Sequence, residues 1–463
     1  MVRARVTAPE AKKERMPPRL GRYDVRAKIG EGGMATVYVG RDAGDAGGPS
    51  EPGETGRGQV GARVVALKVI KEEYSLNREF VNMFLDEAKI VSKLKHPNLI
   101  DVHELGNEGS RLFIAMELLA GQSLWHLWMA CRDRNVRLRY DMIAWLGARI
   151  AEGLHHAHEL EDEKGEPLGV VHRDVNASNI FVTYGGQVKV IDFGLAKAAN
   201  RVSKTAAGVV KGKFAYMSPE QALGKPLDRR TDVFALAATL WELTVDRRLF
   251  KGKDDFETLR KVSQAAVRDP ATLVEGYPPA LWHIFKRALQ RDRTKRYATA
   301  LELAAALDKF ATSEGRVIDE RAMAAVMRDL FANERQRDAT WLAEASAADR
   351  PAPTESLKPA PPDETGPKAA IDANTLPPPP RVPSDRAPSA LPLTAGLFAP
   401  APVRPPNPPP DEPLDAALAA EDAEDPRAQD TPRFSIKRAL LFGGATVILL
   451  LLAMLVGAWW GRR

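Results

Sequence analysis

The residues with the most chemistry in their spacing lie between Gly169 and Gly194, GVVHRDVNASNIFVTYGGQVKVIDFG. An apolar run ends in His172-Arg173-Asp174, and Asn179 follows five residues after that aspartate. Two short β-type runs, Asn179–Thr183 and Gln187–Ile191, flank a Tyr184-Gly185-Gly186 turn, and the second delivers Asp192-Phe193-Gly194. A hairpin of this kind gathers three hard-oxygen groups, Asp174, Asn179 and Asp192, into a small volume. Asn179 and Asp192 suit Mg²⁺, which prefers oxygen ligands and shares them with substrate phosphates. Asp174 then remains to orient a hydroxyl nucleophile.

Either triplet alone would be read as a loop. Both together, with the asparagine between them, resemble the catalytic and metal-binding loops of protein kinases. The resemblance implies an α+β bilobal kinase fold, with a small β-rich N-lobe and a helical C-lobe. It also implies ATP and Mg²⁺ (or Mn²⁺) as cofactors and protein hydroxyls as substrates.

The elements that would position these groups can be followed from the N-terminus. Tyr23–Gly40 reads as strand, Gly-rich turn, strand, with Gly30, Gly32 and Gly33 able to bring backbone N–H groups close to phosphates. Ala35 stands where the third glycine of GxGxxG belongs, so alone this pattern is equally that of a plain turn. By resemblance, Ile29 and Val37 border the nucleotide, Val37 capping the adenine ring. Arg63–Lys71 reads as a strand carrying Ala66-Leu67-Lys68, which looks like the third-strand kinase motif; Lys68 would hold the α- and β-phosphates. Its carboxylate partner is expected to be Glu87, in an amphipathic helix over Arg78–Leu94, with Glu79 and Asp86 solvated. Leu112–Leu119 reads as a buried strand, in which Met116 would stand beside the adenine and the backbone of Glu117 and Leu119 would bond it. A helix over Tyr140–Leu160 ends in His155, His156 and His158, without the further ligands a metal site needs.

Two positions depart from the family pattern. The residue two after the catalytic aspartate, a lysine in the family, is Asn176. In Lys211–Glu220 the family's threonine after glycine is replaced by Lys213. The pair suggests a relocated cation, with Lys213 supplying the charge that Asn176 lacks. Between Leu195 and Phe214 lies an expected activation loop whose hydroxyls, Ser203 and Thr205, are candidates for autophosphorylation in a transient homodimer; Arg173 is placed to pair with a phosphate there. Downstream, Asp232 looks like the aspartate that braces the catalytic loop, and Arg296 like the partner of Glu220.

The remaining chain is organised differently. Residues 1–22 are basic and lack the apolar core of a signal peptide, so a disordered leader is expected before a kinase domain at 23–310. Residues 43–62 form a Gly/Pro/Asp-rich insertion. An amphipathic helix is predicted at Asp319–Arg335 within an extension over 311–347. Of 35 prolines, 23 fall between 351 and 432, so residues 348–438 are expected to be a disordered linker. Ala439–Trp460 is 22 residues without a charge. At 1.5 Å per residue it would span about 33 Å, sufficient for a hydrocarbon core of about 30 Å. A single-pass anchor in the inner membrane is expected, with the ATP-using domain in the cytoplasm and residues 461–463 beyond the span. The net charge of +5 argues for no nucleic-acid partner, and the single cysteine, Cys131, excludes an intrachain disulfide. A rival reading, a pseudokinase scaffold at the membrane, has Asn176 and Ala35 in its favour and the intact Lys68, Asp174, Asn179 and Asp192 against it.

Overall fold

The structure is a computed structural model that describes residues 16–32, 34–42, 63–75, 77–109, 111–193, 213–313, 315–347 and 397–400. The N-terminal lobe is a six-stranded antiparallel sheet in the order β1-β2-β3-β4-β6-β5. Its strands are β1 (Arg19–Leu20), β2 (Tyr23–Glu31), β3 (Ala35–Asp42), β4 (Val64–Ile70), β5 (Val102–Glu108) and β6 (Arg111–Glu117). Between β4 and β5 come α1 (Glu72–Ser75) and α2 (Arg78–Ser92).

Strand alternation decides which face Lys68 occupies. Val65, Leu67 and Val69 of β4 join one apolar cluster with Tyr23, Val25, Tyr38 and Phe113. Ala66 and Ile70 join a second cluster with Phe84 and Ala88 of α2 and with Met116. Successive side chains of a strand point to opposite faces, so Lys68 shares the face of Ala66 and Ile70, which α2 covers.

The C-terminal lobe is built around helices α3 (Leu124–Asp133), α4 (Tyr140–His158), α5 (Pro219–Ala222), α6 (Arg230–Val245), α7 (Asp255–Gln264), α8 (Pro279–Ala288) and α9 (Ala300–Ser313). Every residue of α6 from Thr231 to Val245 is buried. A helix apolar all round belongs at the centre of a lobe, and α6 contacts α4, α8 and α9 there. At the edge facing the N-lobe, β7 (Gly121–Ser123), β9 (Ile180–Thr183) and β10 (Val188–Val190) form an antiparallel sheet in the order β10-β9-β7. The β9–β10 hairpin is the predicted one, each strand one residue shorter at its outer end and β10 one residue shorter at the turn as well. Its turn requires glycine at Gly186: φ is +90°, and a Cβ there would lie 1.9 Å from the Glu320 carbonyl oxygen.

Several expectations need correction. The leader does not extend to residue 22, because Arg19–Leu20 pairs with β2 and Leu20 is fully buried. The single helix expected at 319–335 is two, α10 (Glu320–Leu330) and α11 (Ala332–Ser346), broken at Phe331, whose φ of −128° and ψ of 37° leave the helical region. Asp319 caps α10 by accepting from the Ala322 amide at 2.9 Å. The linker is not structureless throughout: β11 (Phe398–Pro400) pairs antiparallel with β8 (Val136–Leu138). Among the described residues no helix is long and apolar enough to cross a membrane; Ala439–Trp460 lies outside them, as do the 43–62 insertion and the activation loop from 194 to 212.

Candidate active site

The upper wall of the cleft is the β2–β3 hairpin. Gly30 stands opposite Val37 in the register, and the Gly32 amide donates to the Ala35 carbonyl at 2.8 Å, closing the turn; Gly33 is outside the described residues. Ile29 is 39% exposed at its edge. Ala66 and Met116 are buried, and Val37, Leu119 and Ile191 pack on the same apolar cluster. This makes an apolar slot of the kind a flat ring fills, with its residues drawn from both lobes. Met116 pairs with Ala66 across β4 and β6.

Glu117 is more committed than the sequence suggested. Its carboxylate accepts from Lys189 Nζ at 2.7 Å and from the Asp101 amide at 2.7 Å, and its own amide donates to the Asp101 carbonyl at 2.9 Å. Lys68 reaches across the cleft and pairs with Asp192. Glu87 lies in α2 as expected, but its side chain is outside the described residues, so the carboxylate placed on Lys68 is that of Asp192.

The lower wall is the loop that carries Asp174, and it is held from beneath. Asp232, fully buried at the start of α6, accepts from the His172 amide at 2.7 Å and the Arg173 amide at 2.8 Å, and lies 2.7 Å from His158 Nε2. Burial, the largest influence on Asp232, pushes its pKa up. The His158 hydrogen bond, the charges of His158 and His172 and the Arg173 amide outweigh it and hold the carboxyl below its ordinary range. The brace has backbone strain to contain. Arg173 has φ +69° and Asp192 φ +60°, left-handed conformations that cost about 1–3 kcal/mol each outside glycine and persist only where neighbours over-determine them. Arg173 is fixed on both sides, since its carbonyl also accepts from Gln221 Nε2 at 2.9 Å.

Asp174 is gripped by two asparagines. Asn176 Nδ2 donates to Asp174 Oδ1 at 2.9 Å and to its carbonyl at 3.0 Å; Asn179 Nδ2 donates to Asp174 Oδ2 at 3.1 Å and to the same carbonyl at 2.8 Å. Read from the sequence, Asn176 is a missing cation. In the structure it is a second donor to the Asp174 carboxylate. Lys213 opens a short 3₁₀ turn, Lys213–Tyr216, and its side chain is outside the described residues.

The donor set for a divalent cation was tested on the same geometry. The Ile191 amide donates to the Asn179 carbonyl at 2.9 Å, which ties the asparagine to the strand that delivers Asp192. Asn179 directs its amide N–H to Asp174, so its side-chain oxygen is the atom suited to a cation. Two hard oxygens plus substrate phosphates fit Mg²⁺. Phe193 is buried, its ring 4.5 Å from that of His172, which anchors the aspartate's neighbour between the lobes.

Beyond the loop, the segment that would face a substrate is stapled to the lobe. Ser218 caps α5 in a reciprocal capping box with Gln221. Glu220 and Arg296 form the predicted pair, buried and bidentate at 2.7 and 2.8 Å. Tyr216 donates to Glu242 Oε2 at 2.8 Å, and Arg248 joins both, its guanidinium 5.0 Å from the Trp125 ring centre. Burial raises the pKa of Glu242, and that of Tyr216 well above the phenol value. Sequence reasoning missed His158, Gln221 and the Lys189–Glu117 pair. His158 lies in the helix singled out for its histidines, and Gln221 directly follows the Lys211–Glu220 segment.

The comparisons agree with this geometry. The protein kinase domain family matches residues 53–306, more than half of the chain. The Gly-rich hairpin lies upstream of that match, yet β3 pairs with β4 along its whole length. The tyrosine-protein kinase MasK of Myxococcus xanthus is 38% identical over 316 residues, 68% of this chain and 47% of that protein. The serine/threonine-protein kinase PrkC of Bacillus subtilis is 30% identical over 301 residues, 65% of this chain and 42% of PrkC. PknL of Mycobacterium tuberculosis, also a serine/threonine-protein kinase, is 32% identical over 290 residues, 63% of this chain and 66% of PknL. The chain thus spans about half, or less, of the first two and under two thirds to two thirds of the third. A family match over most of the folded body, on a cleft assembled from both lobes as that family requires, makes this chain a member of the protein kinase family.

Proposed function

We propose that the chain is an ATP-dependent protein serine/threonine kinase that also phosphorylates its own activation loop at Ser203 or Thr205. The observation that carries this reading is the Asp174 carboxylate, oriented by Asn176 and Asn179 on a strained loop that Asp232 holds. A carboxylate so fixed is suited to accept a hydroxyl proton. The substrate oxygen forms a bond to the γ-phosphorus, the bond from that phosphorus to the β,γ-bridging oxygen breaks, and ADP leaves. Lys68 holds the non-transferred phosphates. Mg²⁺ or Mn²⁺ at Asn179 and Asp192, when bound, neutralises charge on the phosphates. Lys213 is proposed to add the positive charge that Asn176 does not carry.

The test is phosphorylation of the full chain with labelled ATP and Mg²⁺, beside Asp174→Asn, with the labelled residues identified. Label on serine or threonine in the wild type alone supports the reading. Nucleotide binding with no label in either would instead support a pseudokinase scaffold. A tyrosine hydroxyl is the second reading, favoured by the 38%-identical relative being named a tyrosine-protein kinase; phosphotyrosine in the product would establish it.

We further propose that Ala439–Trp460 anchors the chain in the inner membrane with the kinase domain in the cytoplasm. What supports this is the sequence alone, 22 residues without a charge followed by Gly461, Arg462 and Arg463. Release of the chain from washed membranes by high salt alone would refute it.

A further inference from the structure

The proline-rich tether contains one stretch unlike its surroundings. Residues 387–403 carry no charge, while Arg386 and Arg404 bound them. Inside that stretch the chain returns to the folded body. Phe398 pairs with Leu138, Ala399 with Arg137 and Pro400 with Val136, antiparallel. Leu397 and Phe398 pack against the main apolar cluster of the helical lobe, to which Leu138 and Cys131 belong. Backbone pairing supplies affinity in this mode of recognition and side-chain burial supplies selectivity.

The receiving edge is built for this. Asn135, with φ +54°, turns the chain sharply after α3 and sets β8 running. Behind β8 lies a small cavity lined by Leu127, Trp128, Cys131, Val136 and Leu138, with Arg137 and the Arg132–Asp246 ion pair also in its wall. Arg137 does not stand off into solvent: its guanidinium stacks 4.0 Å from the Tyr140 ring centre. An uncharged, apolar occupant therefore meets an apolar floor. Pro400 has no amide N–H to donate, and proline, present also at 392, 402, 405 and 406, is a residue type that favours extended backbone. Pre-extension lowers the ordering cost of docking.

Reach is no obstacle. The intervening segment, 348–396, has 49 residues, and a flexible chain of that length spans about 35–42 Å on average, at roughly 5–6 Å × √n. Tethering at such lengths gives an effective concentration on the order of 1 mM. A segment with an intrinsic Kd of about 0.1 mM would then be docked about nine-tenths of the time.

We propose that the β8 edge and the apolar surface around it form a docking groove for an extended, uncharged, proline-flanked segment, and that its occupant is this chain's own Leu397–Pro400. The segment fastens the tether to the helical lobe. This assignment does not depend on phosphotransfer.

The test is hydrogen exchange on the full chain in mild detergent, wild type against a Leu397→Asp/Phe398→Asp double variant. Exchange at the Arg137 amide, the one that faces Ala399, is expected to rise at least tenfold in the variant while β9 and β10 are unchanged. A synthetic peptide of residues 394–403 at millimolar concentration should restore protection. Cys131, the only cysteine, gives an independent readout. It is buried under β8, with its thiol pushed up to about 12 chiefly by burial, and should react faster with a thiol reagent in the variant. Because the changes lie in the tether, the body should unfold at the same temperature; Ala399→Pro, which removes a strand amide, serves as a second variant with the same expected effect. Unchanged exchange at Arg137 in both variants would overturn the proposal. So would failure of the peptide to restore protection. Protection that grows with protein concentration together with a dimer would overturn docking within one chain.

Discussion

Arg296 uses all five of its N–H donors in a buried setting, and replacing it by lysine has a cost that can be worked from the structure. Nε donates to the Gln290 carbonyl at 2.7 Å. One terminal nitrogen donates to Glu220 Oε1 at 2.7 Å and to the Arg230 carbonyl at 3.1 Å, the other to Glu220 Oε2 at 2.8 Å and the Arg291 carbonyl at 3.2 Å. The guanidinium also lies 4.8 Å from the Phe234 ring centre. Lysine has three donors and no fork, so Arg296→Lys leaves at least two acceptors without a partner. At about 1–3 kcal/mol per buried unpaired acceptor the loss is roughly 2–6 kcal/mol, which brackets the ~3–5 kcal/mol typical of breaking a buried ion pair. At about 2–4 °C per kcal/mol for a body of this size, the thermal midpoint should fall by roughly 6–20 °C, read by tryptophan fluorescence. Arg296→Met combined with Glu220→Met should recover much of that fall, because an apolar pair leaves no buried charge. The acid limb gives a second check. Burial, the largest influence, raises the Glu220 pKa, but the Arg296 hydrogen bonds and charge outweigh it, so its folded value is lowered. Its contribution is therefore complete above the ordinary value of 4.5 and is lost as pH falls through the lower folded value. The double methionine variant should lack that part of the acid sensitivity. A midpoint shift under about 2 °C for Arg296→Lys would refute the reasoning.

Asn176→Ala should lower the phosphotransfer rate about tenfold, the equivalent of 1.36 kcal/mol, with the KM for ATP unchanged; a loss under twofold would mean that Asn179 alone orients Asp174. Lys213→Ala should reduce kcat by a similar factor, and a rate within twofold of wild type would dismiss its proposed charge role. Asp232→Asn should destabilise the chain by about 3–5 kcal/mol, and urea unfolding should show the wild type losing this contribution only below the ordinary aspartate value of 3.8, since its folded pKa is lowered. Tyr184 donates to Asp338 at 2.7 Å and accepts from Gln122 at 3.0 Å. Tyr184→Phe should therefore cost about 1 kcal/mol and raise hydrogen exchange in α11 before any other helix.

The parts of the site that were legible in the sequence are those fixed by short spacing. His172-Arg173-Asp174, Asn179 and Asp192 sit on one hairpin, and Lys68 on a strand whose alternation decides its face. The Glu220–Arg296 pair, 76 residues apart, was legible only through the family resemblance. What was not legible is side-chain traffic between distant segments. His158 looked like one of three histidines on a helix end, and nothing local tells that it meets Asp232, 74 residues on. Asn176 was read by what it lacks, a charge, when its amide geometry was the informative property. The break at Phe331 was hidden because α11 continues in register with good helix formers, so periodicity runs through it. Strands as short as β1 and β11 carry no period at all, and only their pairing makes them strands.

The two C-terminal helices change what counts as one mechanical unit. Helix α10 buries Met323, Val326, Met327 and Leu330 in the helical lobe, and Arg134 grips its end through Asp329 and the Leu330 carbonyl. Helix α11, bolted to the β9–β10 turn through Tyr184, comes up against β3 of the other lobe. Any hinge motion between the lobes must therefore drag or slide this helix, which acts as a tie rod across the moving joint. Cut near residue 310, the molecule would keep Lys68, Asp174, Asn179 and Asp192 yet lose that tie, so a property measured on the fragment would describe the fragment and not the longer chain.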